Sequence, residues 1–188
     1  MSTEVKCVPL ASEHVDAAAH ILTTQFCGGT EPVFNGCGIG YDDAYPLARL
    51  QCQRSSEQGL STVCLVDGEV AAAFVSQDLR ARLLTNEDDH EGPVFVVKFA
   101  PAVELISRLQ HKLFADHPEL ADAKQGVLFH QLMVAVSEKF TRRGLCNKLF
   151  AANLQQAAAL GFTTAIVECS GNYSLGAALK AGYVEQHR

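Results

Sequence analysis

A chain of 188 residues, 48% hydrophobic and 19% charged, is long enough to bury one core and reads as a single globular domain over 1–188. Its net charge of −6 argues against a nucleic-acid partner, which asks for a basic face, and slightly favours a cationic ligand. The cysteines at 7, 27, 37, 52, 64, 146 and 169 are odd in number and form no CxxC pair, which points to free thiols in a reducing compartment. The start lacks a signal-peptide core and no apolar run nears the ~20 residues that span a bilayer, so a cytoplasmic protein without a membrane partner is expected.

In chain order, Glu4 to Leu10 reads as a strand. Ser12 has the character of an N-cap, with Val15, Ala18, Ala19, Leu22 and Phe26 following at helical spacing. Cys27 to Gly40 holds five of the 14 glycines and reads as a loop, and Asp42 to Gln58 as a helix. Ser61 to Val66 and Glu69 to Ser76 are two strands hinged at Asp67-Gly68, a hairpin signal. Asp78 to Gly92, with the acidic knot Asn86-Glu-Asp-Asp-His90, reads as an exposed connection. Pro101 suits the first turn of a helix ending at Asp116, with Val103, Ile106, Leu109, Leu113 and Phe114 on one face.

Gly126 to Val136 is apolar enough for a buried central strand. Gly144 to Leu160 is a helix with Leu149, Phe150, Leu154, Ala157 and Ala158 on one stripe and Gly161 as its C′ residue. Thr163 to Cys169 is a strand and Tyr173 to Ala181 a short helix. Strands mixed with crossover helices predict an α/β mixed central sheet flanked by helices on both faces, with a parallel right-handed unit over 126–169.

Met133-Val-Ala-Val-Ser-Glu-Lys-Phe-Thr-Arg-Arg-Gly-Leu-Cys-Asn-Lys148 is the most informative stretch: a buried strand, a basic turn, then a helix opened by Gly144. The first helical N–H groups lack intrahelical partners and carry the positive end of the dipole. A diphosphate can sit there against the N–H groups of Arg143, Gly144, Leu145, Cys146 and Asn147, with Arg142 and Arg143 adding charge. The segment fits neither a Walker A loop, since Lys139 stands where its first glycine belongs, nor the dinucleotide GxGxxG. A solvated basic turn before a core helix is the competing reading of the same residues.

Thr141-Arg-Arg-Gly-Leu-Cys146 resembles the acetyl-CoA signature Q/R-x-x-G-x-G/A of the GNAT acetyltransferases. Gly144 matches, while Thr141 and Cys146 depart from the pattern. Lys180-Ala-Gly-Tyr183 is similar to that family's Gly-Phe pair, although Ala178 stands where a tyrosine acid is common. Glu168-Cys-Ser-Gly-Asn-Tyr-Ser174 and Thr30-Glu31-Pro32 look more specifically like the insect arylalkylamine N-acetyltransferase-like branch.

The resemblance implies a GNAT fold, acetyl-CoA as co-substrate and a small primary amine as acceptor, in a monomer or homodimer. Glu31 is implied as general base through water, with Ser170 and Ser174 as proton relays; the residue-level alternatives are a solvated loop carboxylate and helix capping. His130 is the second base candidate, at a position where vertebrate-type relatives carry the first of two histidines, with Leu132 at the second; a structural strand histidine is its alternative. The backbone of Met133, Val134, Ala135 and Val136 is implied to guide the pantetheine arm. The histidines and cysteines lack metal spacing. Tyr41, Tyr45 and Phe34 could line an aromatic pocket or belong to the core. The family continues through further strand after its Gly-Phe pair, whereas this sequence ends five residues after Tyr183, leaving either a truncated chain or an unusual pocket. These departures support a rival class, a non-catalytic acyl-CoA-binding GNAT-like regulatory domain.

Overall fold

The alternation of the strand sequences is resolved into one mixed sheet in a computed structural model that describes residues 4–81 and 93–187, with 93–97 described in backbone only. Its strands are β1 (Val5–Pro9), β2 (Thr62–Val66), β3 (Glu69–Asp78), β4 (Leu128–Val136) and β5 (Thr164–Val167), in spatial order β1-β2-β3-β4-β5. The first four run antiparallel and β5 lies parallel to β4. Asp67 and Gly68, at φ 50° and 86°, make the tight β2–β3 turn, whose twist matches the right-handed twist of the strands it joins. The helices among the described residues are α1 (Val15–Phe26), α2 (Pro32–Gly36), α3 (Tyr41–Gln58), α4 (Pro93–Asp116), α5 (Pro118–Ala121), α6 (Leu145–Ala159) and α7 (Asn172–Lys180).

Period-two alternation in β3 splits its buried residues between two cores. Ala73 and Val75 pack under α1 and α3 with Ala18, Ala19, Leu22 and Cys52. Ala72 and Phe74 face α6 and α7 with Leu149, Phe150, Ala177 and Ala178. Phe74 and Phe150 meet edge-on at 4.8 Å between ring centroids. Helices therefore cover both faces, as the strand–helix alternation predicts.

A polar network is buried beneath α6. Asn153, fully buried, accepts hydrogen bonds at Oδ1 from Ser76 Oγ and Gln131 Nε2 at 2.8 Å each. Its Nδ2 donates to Leu60 O at 2.9 Å and to Thr62 Oγ1 at 3.0 Å. One amide thus joins the helix to β2, β3, β4 and the residue that leads into β2. Tyr183 extends the network by donating its hydroxyl to Gln131 Oε1 at 2.6 Å.

The structure corrects several local expectations. Ser12 caps nothing: it opens a 3-10 turn, Ser12–His14, whose own N-cap is Ala11, and His14 precedes α1. The glycine-rich stretch from Cys27 to Gly40 contains α2, because Glu31 caps it and Pro32 pre-sets its first turn. Pro101 lies well inside α4, since Pro93 takes the first turn instead, and Val103 is exposed at 59%. The acidic knot from Asn86 to His90 lies outside the described residues.

Free thiols throughout were expected, yet Cys7 and Cys64 form a disulfide. They are directly opposed across the β1–β2 ladder with Cα atoms 4.1 Å apart, the close spacing of a non-hydrogen-bonded pair. Counting cysteines and short spacings cannot register a pairing across 57 residues. Cys27, Cys37, Cys52, Cys146 and Cys169 are free.

Candidate functional site

The sheet opens between its two parallel strands. Pairing of β4 with β5 runs from Leu128↔Thr164 to Gln131↔Val167 and stops there. Beyond that point β4 keeps β3 on one side only, through Met133, Val134, Ala135 and Val136. The β3–β4 register passes from Ser76↔Gln131 to Val75↔Met133, so Leu132 is an extra residue, a bulge. Leu132 and Met133 consequently both pack toward the α1–α3 core. Alternate backbone groups of Met133 to Val136 point into the gap with no sheet partner to satisfy them.

The chain leaves β4 through a 3-10 turn at Glu138–Phe140 and enters α6 by way of Thr141 to Gly144, all exposed. Gly144 is the N-cap at φ 71°, and Arg142 holds a left-handed φ of 62° without being glycine. Such a backbone costs a branched or bulky residue about 1–3 kcal/mol and clusters at functional sites. No side chain caps α6, and a Cβ at position 144 would meet nothing within 4 Å. The first-turn N–H groups are therefore open to an anion, with Arg142 and Arg143 beside them. Arg143 rests over the Phe140 ring at 5.3 Å. Leu145 and Leu149 are fully buried, which fixes the helix end in place.

Across the gap stands the β5–α7 turn. Cys169 lies in the same core cluster as Cys146 from the first turn of α6, together with Val134, Val136 and Tyr183. Burial, then the neighbouring Cys169, pushes the Cys146 thiol up. Burial pushes Cys169 up more than the hydrogen bond from Ser174 pulls it down. Neither thiol is poised as a thiolate nucleophile. Ser174 donates its hydroxyl to Gly171 O at 2.9 Å within the first turn of α7, while Ser170 is exposed.

At the vertex of the opening is a group the sequence did not expose as a unit. His130, with its side chain 2% exposed, places Nε2 2.6 Å from Glu168 Oε2, and Glu168 is 14% exposed. Gln110 of α4 donates to Glu168 Oε1 at 2.9 Å, and the Gln77 amide lies 2.9 Å from His130 Nδ1. An amide can present either its N–H or its oxygen, so Nδ1 keeps a partner whether or not it carries a proton. Burial pushes the Glu168 carboxyl up. Attraction to His130 and the hydrogen bonds from His130 and Gln110 outweigh that push, and the carboxyl lies below its ordinary value. Glu168 went unassigned in the sequence because its partners are 38 and 58 residues away.

Glu31 stands elsewhere, on the α1–α3 side. Its Oε2 accepts from Phe34 N at 2.6 Å as the N-cap of α2, and its Oε1 is buried without a hydrogen-bond partner. Among the described residues no hydrogen bond or core cluster joins Glu31 to His130, Ser170 or Ser174. Phe34 belongs to a small core with Phe99 and Ile39, Tyr45 packs on the α1–α3 core, and Tyr41 stacks on Tyr45 at the surface.

No protein-family model and no curated protein matches this sequence. Solved structures do. The C-terminal condensation domain of Ebony in complex with β-alanyl-dopamine superposes with a TM-score of 0.79 at 15% identity, over 97% of this chain and 84% of that one. Arylalkylamine N-acetyltransferase 2 from Aedes aegypti gives 0.73 at 17% identity, over 96% and 83%. An aminoglycoside N-acetyltransferase in complex with CoA gives 0.56 at 13% identity, over 100% and 93%. With its mixed five-stranded sheet opened beside the N-terminus of α6, this chain has the GNAT N-acetyltransferase fold, in the form seen in insect arylalkylamine N-acetyltransferases.

Proposed function

We propose that this chain is an amine N-acetyltransferase, with acetyl-CoA as donor and a small primary amine, of arylalkylamine type, as acceptor. The observation that carries the reading is the gap between β4 and β5 leading to an uncapped helix N-terminus at Gly144. In that reading the diphosphate rests on the N–H groups of Arg143 to Asn147, with Arg142, Arg143 and the Thr141 hydroxyl at its side. The backbone of Met133 to Val136 takes the pantetheine amides. Solved relatives that hold CoA or β-alanyl-dopamine support the donor and the acceptor class.

The chemical demand is to free an amine lone pair. An alkylammonium with a pKa near ~10 costs about 4 kcal/mol to deprotonate at pH 7, so a base is needed. His130 answers that demand best, because it stands at the vertex and keeps hydrogen-bond partners in both protonation states. The leaving thiolate, with a pKa near ~8.5, departs readily, so alanine at the buried position 178 is tolerable. Ser174, beside Cys169, is placed to return a proton to it, with the exposed Ser170 as a second relay.

A second reading makes Glu31 the base through water, favoured by its buried, unpartnered carboxylate oxygen. Comparing Glu31→Gln with His130→Gln separates the two, the base being the residue whose loss depresses kcat/KM more. Glu31→Ala should also cost about 1 kcal/mol of stability by uncapping α2, measurable by urea unfolding.

Isothermal titration with acetyl-CoA followed by thiol release with tyramine, serotonin and spermidine tests the reading. Coenzyme binding with no release for any amine would instead assign the regulatory class. Gly144→Val should weaken acetyl-CoA binding roughly tenfold or more, since a branched side chain both strains the left-handed backbone and covers the N–H groups. Gly144→Ala should fall between the two.

A further inference from the structure

Ser76 of β3 and Gln131 of β4 both turn to Asn153 beneath α6. Period two therefore sends the next pair in register, Gln77 and His130, together to the opposite face. They are 7% and 2% exposed, and the Gln77 amide nitrogen lies 2.9 Å from His130 Nδ1. The far side of the ring fixes which nitrogen is which. Glu168 is held ionised by its contacts with His130 and Gln110, and a carboxylate only accepts. His130 Nε2, 2.6 Å from Glu168 Oε2, must therefore be the N–H. In the neutral imidazole the lone pair is then on Nδ1, and Gln77 meets it with an amide N–H. Glu168 is the charged group of this hydrogen-bonded set, while Gln77 and Gln110, from β3 and α4, are neutral amides. Asp78, next along β3, turns instead to the backbone N–H groups of Arg80 and Gly126.

We propose that Gln77 is a positioning residue for proton transfer: it makes Nδ1 the basic atom of His130 and turns its amide from donor to acceptor when that atom takes a proton. This assignment rests on the transferase reading and deepens it. The ammonium of the acceptor gives one proton to Nδ1, while the Nε2 proton stays on its bond to Glu168. The freed nitrogen attacks the thioester carbonyl carbon; the C–N bond forms, the C–S bond breaks, and a second proton leaves nitrogen for the departing thiolate. The imidazolium then returns its extra proton to solvent, so the products are amide, free thiol and one proton. An amide that can present either end serves both states of the ring. A carboxylate at position 77 would instead hold the imidazolium, and an apolar side chain would leave it one partner short.

The test uses the full chain with tyramine and acetyl-CoA. Nitrogen NMR of the wild-type His130 ring reads the tautomer without turnover and should find the proton on Nε2; a proton on Nδ1 overturns the proposal. Gln77→Glu, equal in size, should move the acid limb of kcat/KM up by about one pH unit and cut the rate at pH 7 roughly tenfold, with activity recovered at higher pH. Gln77→Met, similar in length, should move the same limb down and lower kcat severalfold. Acetyl-CoA affinity by titration should stay at the wild-type level in both. A merely structural role would lower the plateau and leave the limb in place, and that result sinks the proposal while the transferase reading stands. If Gln77→Glu does not fold, Gln77→Met and the wild-type tautomer decide. A wild-type chain that carries Nε2–H and binds acetyl-CoA, yet releases no thiol with tyramine, phenylethylamine or spermidine, overturns the transferase reading and the proton-transfer role with it.

Discussion

Asn153→Ala should lower the free energy of unfolding by about 4 kcal/mol, among the larger effects a single change can have here. The side chain is fully buried and its amide serves four partners, Ser76, Gln131, Leu60 and Thr62. The Ser76 hydroxyl can turn to a new acceptor and Thr62 keeps its bond to Gln156, but the Leu60 carbonyl and the Gln131 amide are left facing the hole. Each stranded group costs about 1–3 kcal/mol, and the lost volume adds to that. For a chain of this size the melting temperature should fall by roughly 8–16 °C. Asn153→Leu should do no better, because it restores volume without restoring partners. Gln155→Ala, exposed on the same helix, should stay within about 0.5 kcal/mol of wild type. Chemical denaturation of the three variants checks this, and a mild Asn153→Leu would mean that packing alone matters beneath α6.

His130→Gln should reduce kcat/KM by roughly 10²–10⁴-fold and leave acetyl-CoA affinity unchanged. Glutamine can still donate to Glu168 and accept from Gln77, so the local structure should persist, but it cannot carry a proton at neutral pH. The loss should therefore fall on kcat rather than on coenzyme binding. His130 Nε2 lies 2.6 Å from Glu168 Oε2, so on the proposed reading the two act as one unit and the double variant with Glu168→Gln should be little worse than the worse single variant. Steady-state thiol release at saturating acetyl-CoA measures all three. A purely additive double variant would mean that the two residues act separately.

The strands and the helices α1, α3 and α6 were legible because their signals are local: alternation in β3, the apolar stripe of α6, Gly161 at its end, the Asp67-Gly68 turn. The parallel β4–α6–β5 unit and the glycine at the head of α6 were legible for the same reason. What escaped is non-local. The bulge at Leu132 exists only as a mismatch between β3 and β4, and it decides which way Leu132 and Met133 face. Glu168 is an ordinary carboxylate until the sheet brings it to His130 and α4 brings Gln110. The short helix α2 also escaped, since it depends on one cap and one proline in a stretch otherwise rich in glycine, whereas α7 was legible.

The disulfide between Cys7 and Cys64 bears on how this protein comes apart. An outermost strand is ordinarily among the first elements to fray, exchanging its amides and admitting proteases long before the interior yields. Here that strand is covalently riveted to β2, which carries residues of both cores, so in oxidising solution those of its amides that pair with β2 should exchange as slowly as those of the interior. A reductant would release it while the rest of the sheet stays closed, turning the best-anchored edge into the loosest.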